Sequence, residues 1–152
     1  SLIHLVRRFF GFVAARPLSP VEQAEVHDAL EPGLRRLFFA QPVPDQRHAL
    51  DVARRASGGP VRVEAALLHD VGKTGCGLGA VGRSLATVWS FSGLPIWGRW
   101  RTYLEHGEIG AQMLETAGAS DLTVAFTRQH PGPAPSGVDV DDWRALAAAD
   151  DT

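Results

Sequence analysis

Apolar positions in this chain recur three and four residues apart, in segments separated by proline and glycine. Leu2, Leu5, Val6, Phe9, Phe10 and Val13 lay out one helical face over residues 2–15. Arg16-Pro17-Leu18-Ser19-Pro20 breaks it, and Ser19 with Glu22 three residues on has the form of a capping box for a helix over 20–30. Pro32-Gly33 ends that helix or bends the chain, and residues 34–40 make a further helical turn or two. Gln41-Pro42-Val43-Pro44 reads as a rigid connector, after which Asp45 can cap a helix over 46–56. Ser57-Gly58-Gly59-Pro60 is a break, followed by an apolar central helix over 61–71 that Gly72 stops. Residues 72–82 hold five glycines and form a loop. A helix is expected over 81–92, with a continuation over 96–103 beyond Pro95. His106 opens the next, placing His106, Ile109, Gly110, Met113, Leu114 and Ala117 on one face until Gly118 ends it. Residues 121–129 are helical with His130 at their end, and residues 131–138 are a Pro/Gly loop. The acidic Asp139, Asp141 and Asp142 suit a helix N-terminus, so the last helix spans 143–149 with Asp150 at its end.

No segment has a convincing period of two, so the pattern predicts an all-α bundle of about six to eight helices. Residues 1–19 form an N-terminal amphipathic helix and linker, and residues 20–152 form the domain. The N-terminal helix is expected to pack on the domain or on a second copy of the chain, making a homodimer a candidate assembly. A membrane-surface helix with Arg7 and Arg8 at the headgroups is the alternative. Trp89, Trp97 and Trp100 are expected to fill core or a dimer face rather than stack a ligand.

At 152 residues the chain is long enough for one domain with a sizeable core. A net charge of -2 makes no electrostatic case for bulk nucleic-acid binding. One cysteine, Cys76, excludes an internal disulfide and a cysteine-rich zinc site. Neither residues 2–15 nor 84–98 reach membrane-spanning length, and no secretory signal is evident, so a cytoplasmic location is expected. The basic residues are almost all arginine, a bias that fits a GC-rich, bacterial genome, and Lys73 is the single lysine.

That lysine follows the stretch that holds the chemistry. Ala65-Ala66-Leu67-Leu68 runs directly into His69-Asp70-Val71-Gly72-Lys73-Thr74. An apolar run wants burial, and burying an imidazole beside a carboxylate is costly unless each is paired. A metal ion would pair both; a His-Asp hydrogen bond at a helix end is the plainer alternative. His48, His106, His130 and Asp150 also sit at helix ends or on apolar faces, and helix ends converge in bundles. The donors are nitrogen and oxygen only, which suits manganese, iron, nickel or zinc better than magnesium or calcium. Gly72-Lys73-Thr74 lacks the remaining glycine spacing of a Walker phosphate cradle.

His48, the His69-Asp70 doublet and a distant Asp150 resemble the signature of the HD-domain family of metal-dependent phosphohydrolases. The longer form of the doublet stands intact as His69-Asp70-Val71-Gly72-Lys73. His106-Gly107-Glu108-Ile109-Gly110-Ala111 is similar to the family's second-metal segment, and Gln129-His130 falls where related proteins place a further histidine. The match spans residues 20–151. The resemblance implies an HD-like helical bundle in which His48, His69, Asp70 and Asp150 hold one divalent transition metal. Asp151 would replace Asp150 if the last helix is shifted. Asp70 would bridge to a second ion held by His106 and His130; without those two the site is mononuclear. The activity implied is hydrolysis of a phosphoester, in a nucleotide or small phosphorylated metabolite, by metal-activated water, with Asp70 and Lys73 catalytic and Lys73 neutralising phosphate charge. Two other readings use the same residues: a non-catalytic sensor or partner-binding module that keeps its metal, and a di-iron oxygenase. The Gly-Tyr-Pro triplet of the cyclic-dinucleotide phosphodiesterases is absent, since Pro131-Gly132-Pro133 follows His130. Arg47, Arg83 and Arg128 neighbour the site in sequence and are candidates for phosphate contact, with exposed surface arginine as the alternative.

Overall fold

The computed structural model describes residues 14–73 and 96–151, together with residues 2, 3, 6 and 7; of residues 96–104 it describes the backbone alone. Among the described residues the chain forms seven α-helices, one short 3-10 turn and no strand. They are α1 (Pro20–Ala29), α2 (Pro32–Ala40), α3 (Val43–Ala56), α4 (Pro60–Leu68), the 3-10 turn (Val71–Lys73), α5 (Ile96–Thr116), α6 (Asp121–Gln129) and α7 (Val140–Asp150). The all-α bundle expected from the apolar periodicity is what the chain adopts. No described helix is long and apolar enough to cross a membrane. Of the predicted N-terminal helix, residues 2, 3, 6 and 7 are helical, and Leu2, Ile3 and Val6 are exposed. The rest of that helix to residue 13, the loop from residue 74, Cys76, Arg83, the 81–92 helix and Trp89 lie outside the described residues, as do the side chains of Trp97 and Trp100.

Proline accounts for most of the displaced boundaries. Pro32, expected to stop a helix, is instead the first residue of α2. Likewise, α3 begins at Val43 and takes in the second half of the expected connector, with Pro42 as its N-cap and Pro44 in its first turn. A proline in the first helical turn loses nothing, because its missing N–H had no partner there. Asp45 is therefore not a cap but a first-turn acid, placed well against the helix dipole. The central helix is shorter than expected: α4 ends at Leu68, His69 is its C-cap, and Val71–Lys73 tighten into the 3-10 turn. His106 opens no helix but lies inside α5, which runs unbroken from Ile96 to Thr116. The last helix starts at Val140, with Asp139 accepting a hydrogen bond from the Asp142 N–H as its cap. Ser19 and Glu22 do form the capping box, each accepting from the other's backbone N–H.

The apolar α4 is the axis of the bundle. It packs chiefly on α3 and α6 and also touches α1, α2 and α7. Ala65, Ala66, Leu67 and Leu68 are almost fully buried, with Leu50 and Val52 of α3 and Phe126 of α6. Polar ties fix its first half: Arg62 reaches Asp142 at the start of α7, and Glu64 accepts from the Ser120 N–H and the Thr123 hydroxyl at the start of α6. The buried face of α5 differs from the one expected. Gly110, Ala111 and Leu114 are buried while Ile109 is 37% exposed. Glycine decides this. A methyl group on Gly72 would collide with the His106 carbonyl and lie 2.9 Å from the Gly110 nitrogen; one on Gly107 would lie 2.9 Å from the Thr127 carbonyl. The backbones of α5, α6 and the 3-10 turn thus meet with no side chain between them, which turns Ile109 outward.

Candidate metal centre

The C-terminal ends of three helices converge at one end of the bundle. His69 caps α4, His130 caps α6, and Asp150 is the last residue of α7. Helix C-termini carry partial negative charge, so a carboxylate there is disfavoured and a cation is favoured. Asp150 is stabilised by histidines instead. Its Oδ1 lies 2.9 Å from His48 Nε2 and 3.3 Å from His69 Nε2, and its Oδ2 lies 2.9 Å from His130 Nε2. His48 is delivered from the second turn of α3, across 102 residues of sequence.

One ligand atom each from His48, His69 and Asp150 lies within 4.8 Å of the others. Donors bound about 2.1 Å from one ion stand roughly 3.0–3.4 Å apart in octahedral and tetrahedral arrangements, close to the 2.9 and 3.3 Å separations from Asp150. The tautomers also suit a cation. His69 Nδ1 donates to the Ala66 carbonyl at 2.8 Å, which leaves the Nε2 lone pair directed at the cluster. That Nε2 is buried and out of hydrogen-bond alignment with any group. The described residues therefore fit a divalent transition metal by donor type, spacing and orientation.

The electrostatics are those of a cation site. Burial works against a charged His69, but Asp70 and Asp150 outweigh it and raise its pKa to about 9. Burial likewise raises Asp70, yet the charges of His69 and Lys73 bring it below the usual carboxylate range. Asp150 lies further below it, because hydrogen bonds to His130 and His48 and the neighbouring His69 overcome its burial. Without a cation, both carboxylates stay ionised and His69 holds a second proton, on Nε2, at neutral pH; a bound metal would displace that proton and take the lone pair.

Asp70 approaches the same His69 nitrogen, its Oδ2 at 3.6 Å from Nε2 and 2.8 Å from Lys73 Nζ. Together with His106, His130, Phe126, Thr127 and glycines 72 and 107, these residues line a cavity of about 50 Å³ beside the three-donor cluster. His106 is brought to the cavity but not into that cluster. The carboxylate that touches three imidazoles is Asp150; Asp70, the bridging residue implied by the resemblance, pairs with Lys73. Asp151 caps α7 and is exposed, so Asp150 is the carboxylate at the site.

Arg47 and Arg128 are engaged elsewhere. Arg47 forks onto Glu22 at 2.6 and 2.8 Å and also donates to the Arg16 and Pro17 carbonyls. Arg128 pairs with Glu108 and Glu115. Three supporting residues escaped the sequence reading. Phe126 stacks on His130 at 4.4 Å and meets His69 and Trp143 edge-on. Its spacing four residues before His130 on an apolar helix was the available signal. Arg55 donates to the Ala149 carbonyl at 2.7 Å, anchoring the last turn of α7 beside Asp150. Thr127 has a buried hydroxyl without a partner. Neither of these last two had a local signature.

In comparisons with known proteins, no family model, no curated protein and no solved structure matches the chain.

Proposed function

We propose that the chain is a metal-dependent phosphohydrolase acting on a phosphoester of a nucleotide or small metabolite. The observation that carries this reading is the meeting of His48, His69 and Asp150, from three separate helices, with ligand atoms within 4.8 Å. The resemblance of the His69-to-Lys73 stretch to the HD-domain signature supports the reaction class. A divalent cation bound there would lower the pKa of a coordinated water to about 7 and polarise a phosphoryl oxygen. The chain's own residues supply the remainder. Ala66 holds His69 in the tautomer with a free Nε2, while Phe126 fixes the ring planes of His69 and His130. Asp70, held ionised, keeps the Lys73 ammonium at the cavity mouth, where it can offset phosphoryl charge.

The test is elemental analysis of the purified protein joined to a phosphatase and phosphodiesterase screen with added manganese. The reading expects at least one transition-metal ion per chain and manganese-stimulated release of phosphate or nucleotide. Protein that neither carries nor takes up a metal overturns it; bound metal with no turnover across the panel favours the non-catalytic module.

A further inference from the structure

Among the described residues four buried side-chain polar atoms lack a hydrogen-bond partner: Gln41 Oε1, His69 Nε2, Thr127 Oγ1 and His130 Nδ1. Three of the four belong to residues that line the cavity beside the cluster. His69 Nε2 and His130 Nδ1 are the free nitrogens of rings whose other nitrogen faces a carbonyl and a carboxylate, respectively. As neutral rings, both present lone pairs and suit a cation. Thr127 does not belong to that donor set. It is 5% exposed, and its hydroxyl makes none of the bonds back to its own helix that threonine commonly makes. Its methyl is committed to packing, since a Cβ placed on Gly110 would lie 3.0 Å from Thr127 Cγ2.

A phosphoryl group presents only acceptors. Against this cavity it meets the Asp70 carboxylate and the His130 Nδ1 lone pair, and so needs donors. Lys73 supplies a charged one at the exposed side, and Thr127 can supply a neutral one from the buried wall. We propose that Thr127 is a substrate-binding residue whose hydroxyl donates to an oxygen of the bound phosphoryl group. This rests on the phosphohydrolase reading and adds a residue to it.

The test compares wild type, Thr127→Val and Thr127→Ser in three measurements: manganese content, thermal melting, and calorimetric binding of inorganic phosphate to the manganese-loaded protein. Valine keeps the shape and both methyl-sized branches; serine keeps the hydroxyl and loses the methyl. The expected result is wild-type manganese content in both variants, an unchanged or higher melting temperature for valine, phosphate binding weakened at least about tenfold in valine, and recovery in serine. Wild-type phosphate affinity in the valine variant overturns the proposal while leaving the phosphohydrolase reading intact. So does a valine variant that melts lower or loses manganese, because the hydroxyl then serves the fold or the metal. If wild type itself binds no phosphate when loaded with manganese, both fall together.

Discussion

Asp150 is the residue on which the proposed centre turns. One carboxylate meets three imidazoles, and its position at the end of α7 is electrostatically poor for a helix, so its placement answers to the site rather than to α7. Asp150→Asn keeps the shape but removes the charge that His48, His69 and His130 share. Loss of a ligand should exceed the ten- to hundredfold loss typical of a supporting residue. Manganese or zinc affinity, read by calorimetry or competition with a chromophoric chelator, is expected to fall more than about a hundredfold. His48, His69, Asp70 and Asp150 were legible because ionisable letters stood within apolar or helix-terminal settings. Thr127 and Phe126 were not. A threonine and a phenylalanine on an apolar helix read as packing, and only the groups opposite them give them another use.

At the scale of elements, the contact between the 3-10 turn and α5 holds the doublet in place. Gly72 meets the α5 backbone at His106 and Gly110, and no rotamer can relieve a collision between a Cβ and main chain. Gly72→Ala is expected to destabilise the fold by about 3 kcal/mol, measured by urea unfolding, with metal affinity falling alongside. A second element contact sets a pH dependence. Glu22 completes the capping box of α1 and pairs with Arg47 of α3, and this pairing together with the Ser19 N–H lowers its pKa from 4.5 to about 2. Its folded value lies below its unfolded one, so its stabilisation is complete above pH 4.5 and is lost as pH falls through 2. The stability gap between wild type and Glu22→Gln should accordingly be widest near neutrality and close on acidification. Denaturant melts at a series of pH values would detect it. Element types were readable from the apolar period, whereas the boundaries moved wherever a proline could serve as a first-turn residue. The continuity of α5 through His106 was hidden because its buried face is set by glycines rather than by large apolar side chains.

For the whole molecule, the centre joins α3, α4, α6 and α7, so occupancy should stabilise the bundle as a unit. An ion present at a hundred times its dissociation constant adds about 2.7 kcal/mol. For a chain of this size that corresponds to a melting temperature roughly 5–10 °C higher than in chelator. Scanning calorimetry with manganese or zinc against EDTA should show the shift, and Asp150→Asn should not. The periodicity alone determined that the chain would be helical, that residues 65–68 would be buried, and that an imidazole and a carboxylate would follow them at a helix end. Those are local properties, set by side-chain spacing and by the cost of exposing apolar surface. Only the tertiary structure decided that Asp150, rather than Asp70, takes the three imidazoles, that Arg47 and Arg128 are bound to carboxylates, and that Thr127 is left with a free hydroxyl. Those outcomes depend on the angles at which helices cross and on how closely glycine lets them approach.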